Sequence, residues 1–174
     1  PPTEPSVFYC GRHLAAFLRD HPLSENVPFI ADLARLERSS VEVFHGADAP
    51  VLESDALRAV APADWPAMKL TIHPSTQILA LDWRVAELLR AVEENRPWQP
   101  AERGAVKVLV WRCNARVFHR ELEHAEADAL EATSRGAAFA EICDVVAASA
   151  DGHDAVAAMN RMLARWLADR LLTR

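Results

Sequence analysis

Two β-rich runs that meet at a tight turn and lead straight into three helical patterns constrain this chain more than any other feature. Val106-Lys-Val-Leu-Val-Trp111 and Arg116-Val-Phe-His-Arg-Glu-Leu122 flank Cys113-Asn114, and the Asn between two such runs predicts a hairpin. Helical patterns follow over about 124–134, 138–148 and 154–171, with Gly136 between the first two. The last sets Val156, Met159, Leu163, Trp166, Leu167 and Leu171 on one side, and abundant alanine favours helix throughout this part. Strands, then helix, tight turn, helix and a longer helix is the order of a winged helix-turn-helix-like module.

Upstream the period is different. Leu14, Phe17 and Leu18 recur at helical spacing, and Pro22 stops that helix. A long helix is predicted over about 27–45, with Asn26 as its N-cap, Pro28 in its first turn and Gly46 at its C-terminus. Its stripe is Phe29, Leu33, Leu36, Ser40 and Val43/Phe44. After a short helix at 55–60 the pattern alternates. Met68, Leu70 and Ile72 oppose Lys69, Thr71 and His73, which predicts a half-buried strand with His73 on the exposed side. A second strand at 77–81, an amphipathic helix at 85–92 and a proline-bearing loop at 93–104 complete the chain. The expected architecture is α+β: a helical part over 1–66, then, over 67–174, a small antiparallel sheet with a C-terminal three-helix, winged-helix-like, peptide-recognition module.

Charge narrows the partners. The 174 residues carry 19 Lys and Arg against 25 Asp and Glu, a net of −6, which favours a cationic partner. Residues 105–174 hold nine Lys/Arg against ten Asp/Glu, a net of −1, with the last helix basic only at Arg161, Arg165, Arg170 and Arg174. A winged-helix transcriptional regulator that reads DNA is therefore the second choice, and no nucleic-acid partner is expected. The other use of this shape is to accept a peptide as an added strand at the sheet edge. No apolar run approaches the roughly 18 residues of a membrane span, and no signal-like segment opens the chain, so a cytoplasmic protein without a membrane partner is expected.

Catalytic patterns are sparse. There is no phosphate loop, no Gly-x-Ser-x-Gly and no His-Glu-x-x-His, and five glycines leave little for a phosphate cradle. Cys10, Cys113 and Cys143 are odd in number and far apart, which fits neither a zinc site nor a disulfide framework. Cys143, in Glu141-Ile-Cys-Asp, is expected to pack as a small hydrophobe. His119, Glu121, Glu123 and His124 form a mixed nitrogen and oxygen set, read here as a solvated strand face running into a helix start rather than a metal site. Trp111 and Trp166 are expected in the core, and Trp98, between Pro97 and Pro100, at an interface.

Three stretches then carry a resemblance. Phe29-Ile-Ala-Asp-Leu-Ala-Arg-Leu-Glu37, Val43-Phe-His-Gly-Ala-Asp-Ala-Pro-Val-Leu52 and Leu70-Thr-Ile-His-Pro-Ser75 resemble signature segments of the HvfC/BufC family. The closing Met162-Leu-Ala-Arg-Trp-Leu-Ala-Asp-Arg-Leu171 is similar to that family's terminal helix, so the likeness covers most of residues 10–172. Longer members carry an additional N-terminal helical domain, for which this chain has no room. Short members resemble the small subunit of the methanobactin biosynthesis heterodimer.

The resemblance implies a division of labour. A larger TIM-barrel partner holds a multinuclear iron centre and, with dioxygen, converts cysteines of a ribosomally made precursor peptide to oxazolone and thioamide groups. The product chelates copper. The small subunit binds that enzyme and the peptide's leader, holds no cofactor and catalyses nothing on its own. On this reading the leader pairs along 116–122, contacting Arg116, Val117, Phe118, His119, Arg120 and Leu122, with an exposed ridge of Met159, Met162 and Trp166 beside it. Phe44, His45 and Trp98 are expected to face the partner enzyme.

Overall fold

The computed structural model describes residues 9, 11–149 and 155–173, so Cys10 and Arg174 lie outside the described residues. In chain order the elements are α1 (Leu14–Asp20), α2 (Leu23–Asn26), α3 (Ile30–Phe44), α4 (Ser54–Arg58), a 3-10 turn (Trp65–Ala67), β1 (Thr71–Ile72), β2 (Thr76–Trp83), α5 (Val85–Glu93), β3 (Arg103–Cys113), β4 (Arg116–Glu121), α6 (His124–Ser134), α7 (Phe139–Ser149), α8 (Ala155–Ala168) and β5 (Leu172–Thr173). Helix and antiparallel sheet are mixed, as the alternating patterns require. The contacts do not divide at a single cut near residue 66. They sort the chain into Pro1–His45 with Gln77–Glu121, and Gly46–Thr76 with Leu122–Arg174. The β3–β4 hairpin belongs to the first unit, whereas the three helices that follow it in sequence belong to the second.

In the first unit the sheet order is β2-β3-β4, and β4 runs antiparallel to β3. The core joins Leu36 and Val43 of α3, Leu81 of β2, Val85, Ala86 and Leu89 of α5, and Val108 and Val110 of β3. Phe29, Leu33, Trp83 and Val117 pack around it. Each fully buried Val or Leu of this cluster contributes about 1.5–3 kcal/mol relative to exposure. One polar clamp sits in this apolar setting. Asp32 is buried, and its Oδ2 accepts the backbone N–H groups of Asp82 (2.7 Å) and Trp83 (3.1 Å) while Arg35 holds Oδ1 at 3.0 Å. These charge-assisted bonds tie α3 to the end of β2.

The start and end of α3 differ from the sequence expectation. Val27 precedes Pro28 and adopts φ −130°, ψ 74°, because the proline ring drives its neighbour out of the helical region. Asn26 therefore closes α2, and Phe29 occupies the N-cap of α3. At the other end His45 is the C-cap at φ −90°, its N–H donating to the Val41 carbonyl at 3.2 Å, and Gly46 does not take a positive φ.

The hairpin closes on Cys113↔Arg116, with Asn114 at φ 50° and Ala115 at φ 59°. Positive φ at both loop positions is what the primed two-residue turns need. Asn tolerates it, whereas the Cβ of Ala115 is strained there. Ala115→Gly is expected to raise stability by about 1 kcal/mol, read as a higher urea midpoint with an unchanged m-value.

In the second unit α6 packs on α7 and α7 on α8, and β1 pairs antiparallel with β5 through Thr71↔Thr173 and Ile72↔Leu172. Val51 bridges Thr173, and the Leu52 N–H donates to the Leu172 carbonyl at 2.9 Å. Both α6 and α8 end alike. The Ala137 N–H reaches the Ala132 carbonyl past left-handed Gly136, and the Leu171 N–H reaches the Trp166 carbonyl past left-handed Arg170 (φ 57°). His73 is buried, contrary to the alternation that placed it outward. Its Nδ1 accepts the Ser75 N–H at 3.2 Å and lies 2.7 Å from Ser75 Oγ, which leaves Nε2–H to donate to the Ala49 carbonyl at 3.2 Å. The strand stops at Ile72, so the period of two no longer governs the residue after it. No helix among the described residues is long and apolar enough to cross a membrane.

Candidate functional site

The outer margin of β4 is the first candidate surface. In the order β2-β3-β4 it is an edge, and among the described residues no strand pairs with its far side. Register fixes which backbone groups face out. A two-residue turn makes Cys113↔Arg116 a hydrogen-bonded pair, and such pairs alternate along antiparallel strands. Phe118 (opposite Trp111) and Arg120 (opposite Leu109) therefore point their N–H and C=O toward β3. Those of Val117, His119 and Glu121 point outward.

Side chains alternate between the two faces. On one, Val117 joins the core, His119 Nε2–H donates to the Ala86 carbonyl of α5 at 3.0 Å, and Glu121 pairs with Arg84. On the other, Phe118 stacks on Trp111 at 5.5 Å between ring centroids, with the Arg116 guanidinium 5.6 Å from the Phe118 ring and that of Arg120 5.8 Å from Trp111. This is a cation–aromatic ladder along the hairpin.

A cleft of about 650 Å³ opens beside the C-terminal end of β4, lined by Arg84, Ala86, Arg90, Trp98, Arg120 and Glu121 among others. Arg90 reaches across from α5. One guanidinium nitrogen donates to the His119 carbonyl at 3.1 Å and the other to Glu87 at 3.1 Å. Trp98 stands at the cleft with 53% of its surface exposed, a large apolar side chain in water.

Of the residues singled out from sequence, the structure brings Arg116, Val117, Phe118, His119 and Arg120 together on β4. Arg116 is exposed and Phe118 is 37% exposed, while His119 and Arg120 are buried and Val117 half-buried. The expected solvated face is only partly that: His119 is buried and Glu121 half-buried, while Glu123 and His124 at the helix start are exposed. His119 is held by Ala86, Glu121 by Arg84, and His124 Nε2 lies 3.3 Å from Asp128. Among the described residues no three His, Cys, Asp or Glu side chains gather as a metal ion would need. Leu122 is buried.

The ridge expected on the last helix is core instead. Met159 and Trp166 are seven residues apart, on one helical face, and both are buried. The Trp166 indole N–H donates to Glu126 at 3.0 Å. Met162 is half-buried beside Glu126 and Arg165. Phe44 (48% exposed) and His45 lie edge to face at the end of α3, with ring centroids 5.2 Å apart.

Sequence reading missed Arg90 and Asp32. The signal for Asp32 was a carboxylate between Phe29 and Leu36 on the apolar stripe of a helix. Arg90 gave none, since one cation in an amphipathic helix is ordinary. Cys143 is half-buried on α7. Burial, and then the neighbouring Asp144 charge, push its thiol up from the usual cysteine value. The protonated form thus persists to higher pH. Iodoacetamide labelling of Cys143 is expected to be slower than that of a free cysteine at pH 8, with its rate profile displaced to the alkaline side, as read by mass spectrometry. Compared with known families and curated proteins, the chain matches no family model and no curated sequence.

Proposed function

We propose that this chain is a non-catalytic partner subunit that binds a larger TIM-barrel enzyme carrying a multinuclear iron centre, in the manner of the HvfC/BufC family. Its task is to hold the leader of a ribosomally made precursor peptide, in the cytoplasm, while the partner's iron and dioxygen convert core cysteines to the oxazolone and thioamide groups of a methanobactin-like copper chelator. In fold terms we read the hairpin as the peptide-accepting part of a winged-helix-like scheme.

The observation that carries this reading is the outer side of β4, which pairs with no strand among the described residues. A leader laid there gains affinity from backbone bonds at Val117, His119 and Glu121, and specificity from the pockets its alternate side chains meet. Phe118 offers an aromatic surface to one face of the added strand, and Trp98 stands ready at the cleft or the enzyme interface. A net charge of −6 suits a basic leader. Holding the leader raises the effective concentration of the core cysteines at the partner's iron, which accelerates the reaction without any chemistry in this subunit.

Affinity purification of the tagged full chain from its native host tests the reading. The expected result is co-purification with one larger iron-containing protein, in equal amounts, and with a short precursor peptide. A full equivalent of metal in the chain expressed alone would overturn it. So would a shift of duplex DNA at physiological salt with a steep salt slope, which is the mark of a regulator.

A further inference from the structure

The edge that a peptide would join is not bare. Proteins protect such edges because an unpaired row of N–H and C=O groups recruits any extended chain. Here the middle outward carbonyl, that of His119, accepts a bond from Arg90 at 3.1 Å. That is the place where the N–H of an added strand must bond. The same guanidinium holds Glu87 at 3.1 Å, and Glu87 is braced on its other oxygen by Arg96, also at 3.1 Å. Arg90 lines the open cleft, which offers space for the side chain to leave His119 while keeping its carboxylate.

We propose that Arg90 gates the β4 edge: in the free protein it occupies the His119 carbonyl, and it retracts onto Glu87 when an extended peptide pairs there. This rests on strand addition at β4. It adds a specificity rule, because only a peptide that bonds at several outward positions regains more than the Arg90 bond it displaces. The gate also disfavours edge-to-edge pairing of two copies of the chain, since each would have to displace its own arginine. The cleft beside the edge is balanced, with Arg84, Arg90 and Arg120 against Glu87, Glu102 and Glu121, so the choice of a cationic peptide follows from the whole chain's net charge of −6 rather than from a local acidic patch.

The probe is a fluorescent alternating Val-Lys dodecamer, cationic and suited to an extended backbone, titrated by polarisation against the full-length chain. The variants are Arg90→Ala and Arg96→Ala. Arg96 removes an equal charge near the same carboxylate and makes no bond to β4, so it corrects for the change in attraction alone. Arg90→Ala is expected to bind roughly tenfold tighter than the native chain, the equivalent of one charge-assisted bond no longer displaced, and Arg96→Ala less than twofold tighter. Arg90→Ala is also expected to sediment as a concentration-dependent dimer where the native chain does not. Equal binding by Arg90→Ala and the native chain overturns the gate and leaves strand addition standing. A gain shared by both variants likewise overturns it. Binding by none of the three overturns strand addition, and the gate with it.

Discussion

Proline at position 117 is expected to weaken peptide capture by about tenfold or more while leaving the hairpin paired. Val117 occupies a position in β4 whose N–H points away from β3, so its loss removes no bond of the existing ladder. An edge strand tolerates proline at such a place, since only the outer side loses a donor. An added strand loses that bond and meets the ring, and its affinity falls by about tenfold or more. Phe118→Pro is the internal contrast. The Phe118 N–H faces β3 opposite Trp111, so that variant disrupts the hairpin itself. Far-ultraviolet circular dichroism and thermal melting separate the two cases, and polarisation with the peptide recovered in the purification reads capture. Native-like binding by a folded Val117→Pro chain would falsify the edge as the peptide site.

Trp166→Ala is expected to destabilise the second unit by about 3–5 kcal/mol. The indole is fully buried, its N–H bonds to Glu126, and its truncation opens a cavity that a well-packed interior closes only in part. Since whole domains are stable by about 5–15 kcal/mol, a large part of the stability margin is at stake. Trp166→Phe retains most of the volume and loses the N–H bond, so its cost is smaller. The measurement is equilibrium urea unfolding followed by fluorescence of the remaining tryptophans. A cost under about 1 kcal/mol, as for an exposed contact residue, would overturn the core position that the sequence predicts for Trp166 and return it to the leader-facing ridge of the family resemblance.

That reassignment shows what periodicity can and cannot convey. The spacing of Met159 and Trp166 reveals that they share a face, which is correct, but a shared apolar face is equally compatible with a core or a docking ridge. Only the bond from Trp166 to Glu126, 40 residues earlier, decides between them. The hairpin, α5 and the three C-terminal helices were legible because each is written in local residues: alternation, a turn Asn, an apolar stripe, a separating Gly136. The grouping of the hairpin with α3 and α5 was not. It depends on contacts such as Asp32 with Asp82 and Trp83, separated by about 50 positions and leaving no local pattern. His73 was misplaced because alternation was extended one residue past a strand that is two residues long. At the candidate site the placement of 116–121 on one strand was legible, and so was the exposure of Trp98. Arg90 was hidden because its role is defined by a carbonyl 29 residues away.

The interleaving of the two units has a consequence for how the protein can be made. As a nascent chain leaves the ribosome, α3 emerges early but must wait for β3 to find the other half of its core. The segment from 46 to 76 waits longer still, until β5 arrives to pair with β1 and Val51. Long intervals between first contact and last are a setting in which exposed apolar stripes encounter chaperones and bystander chains. Expression of the segments of either unit without the other would prolong that exposure indefinitely.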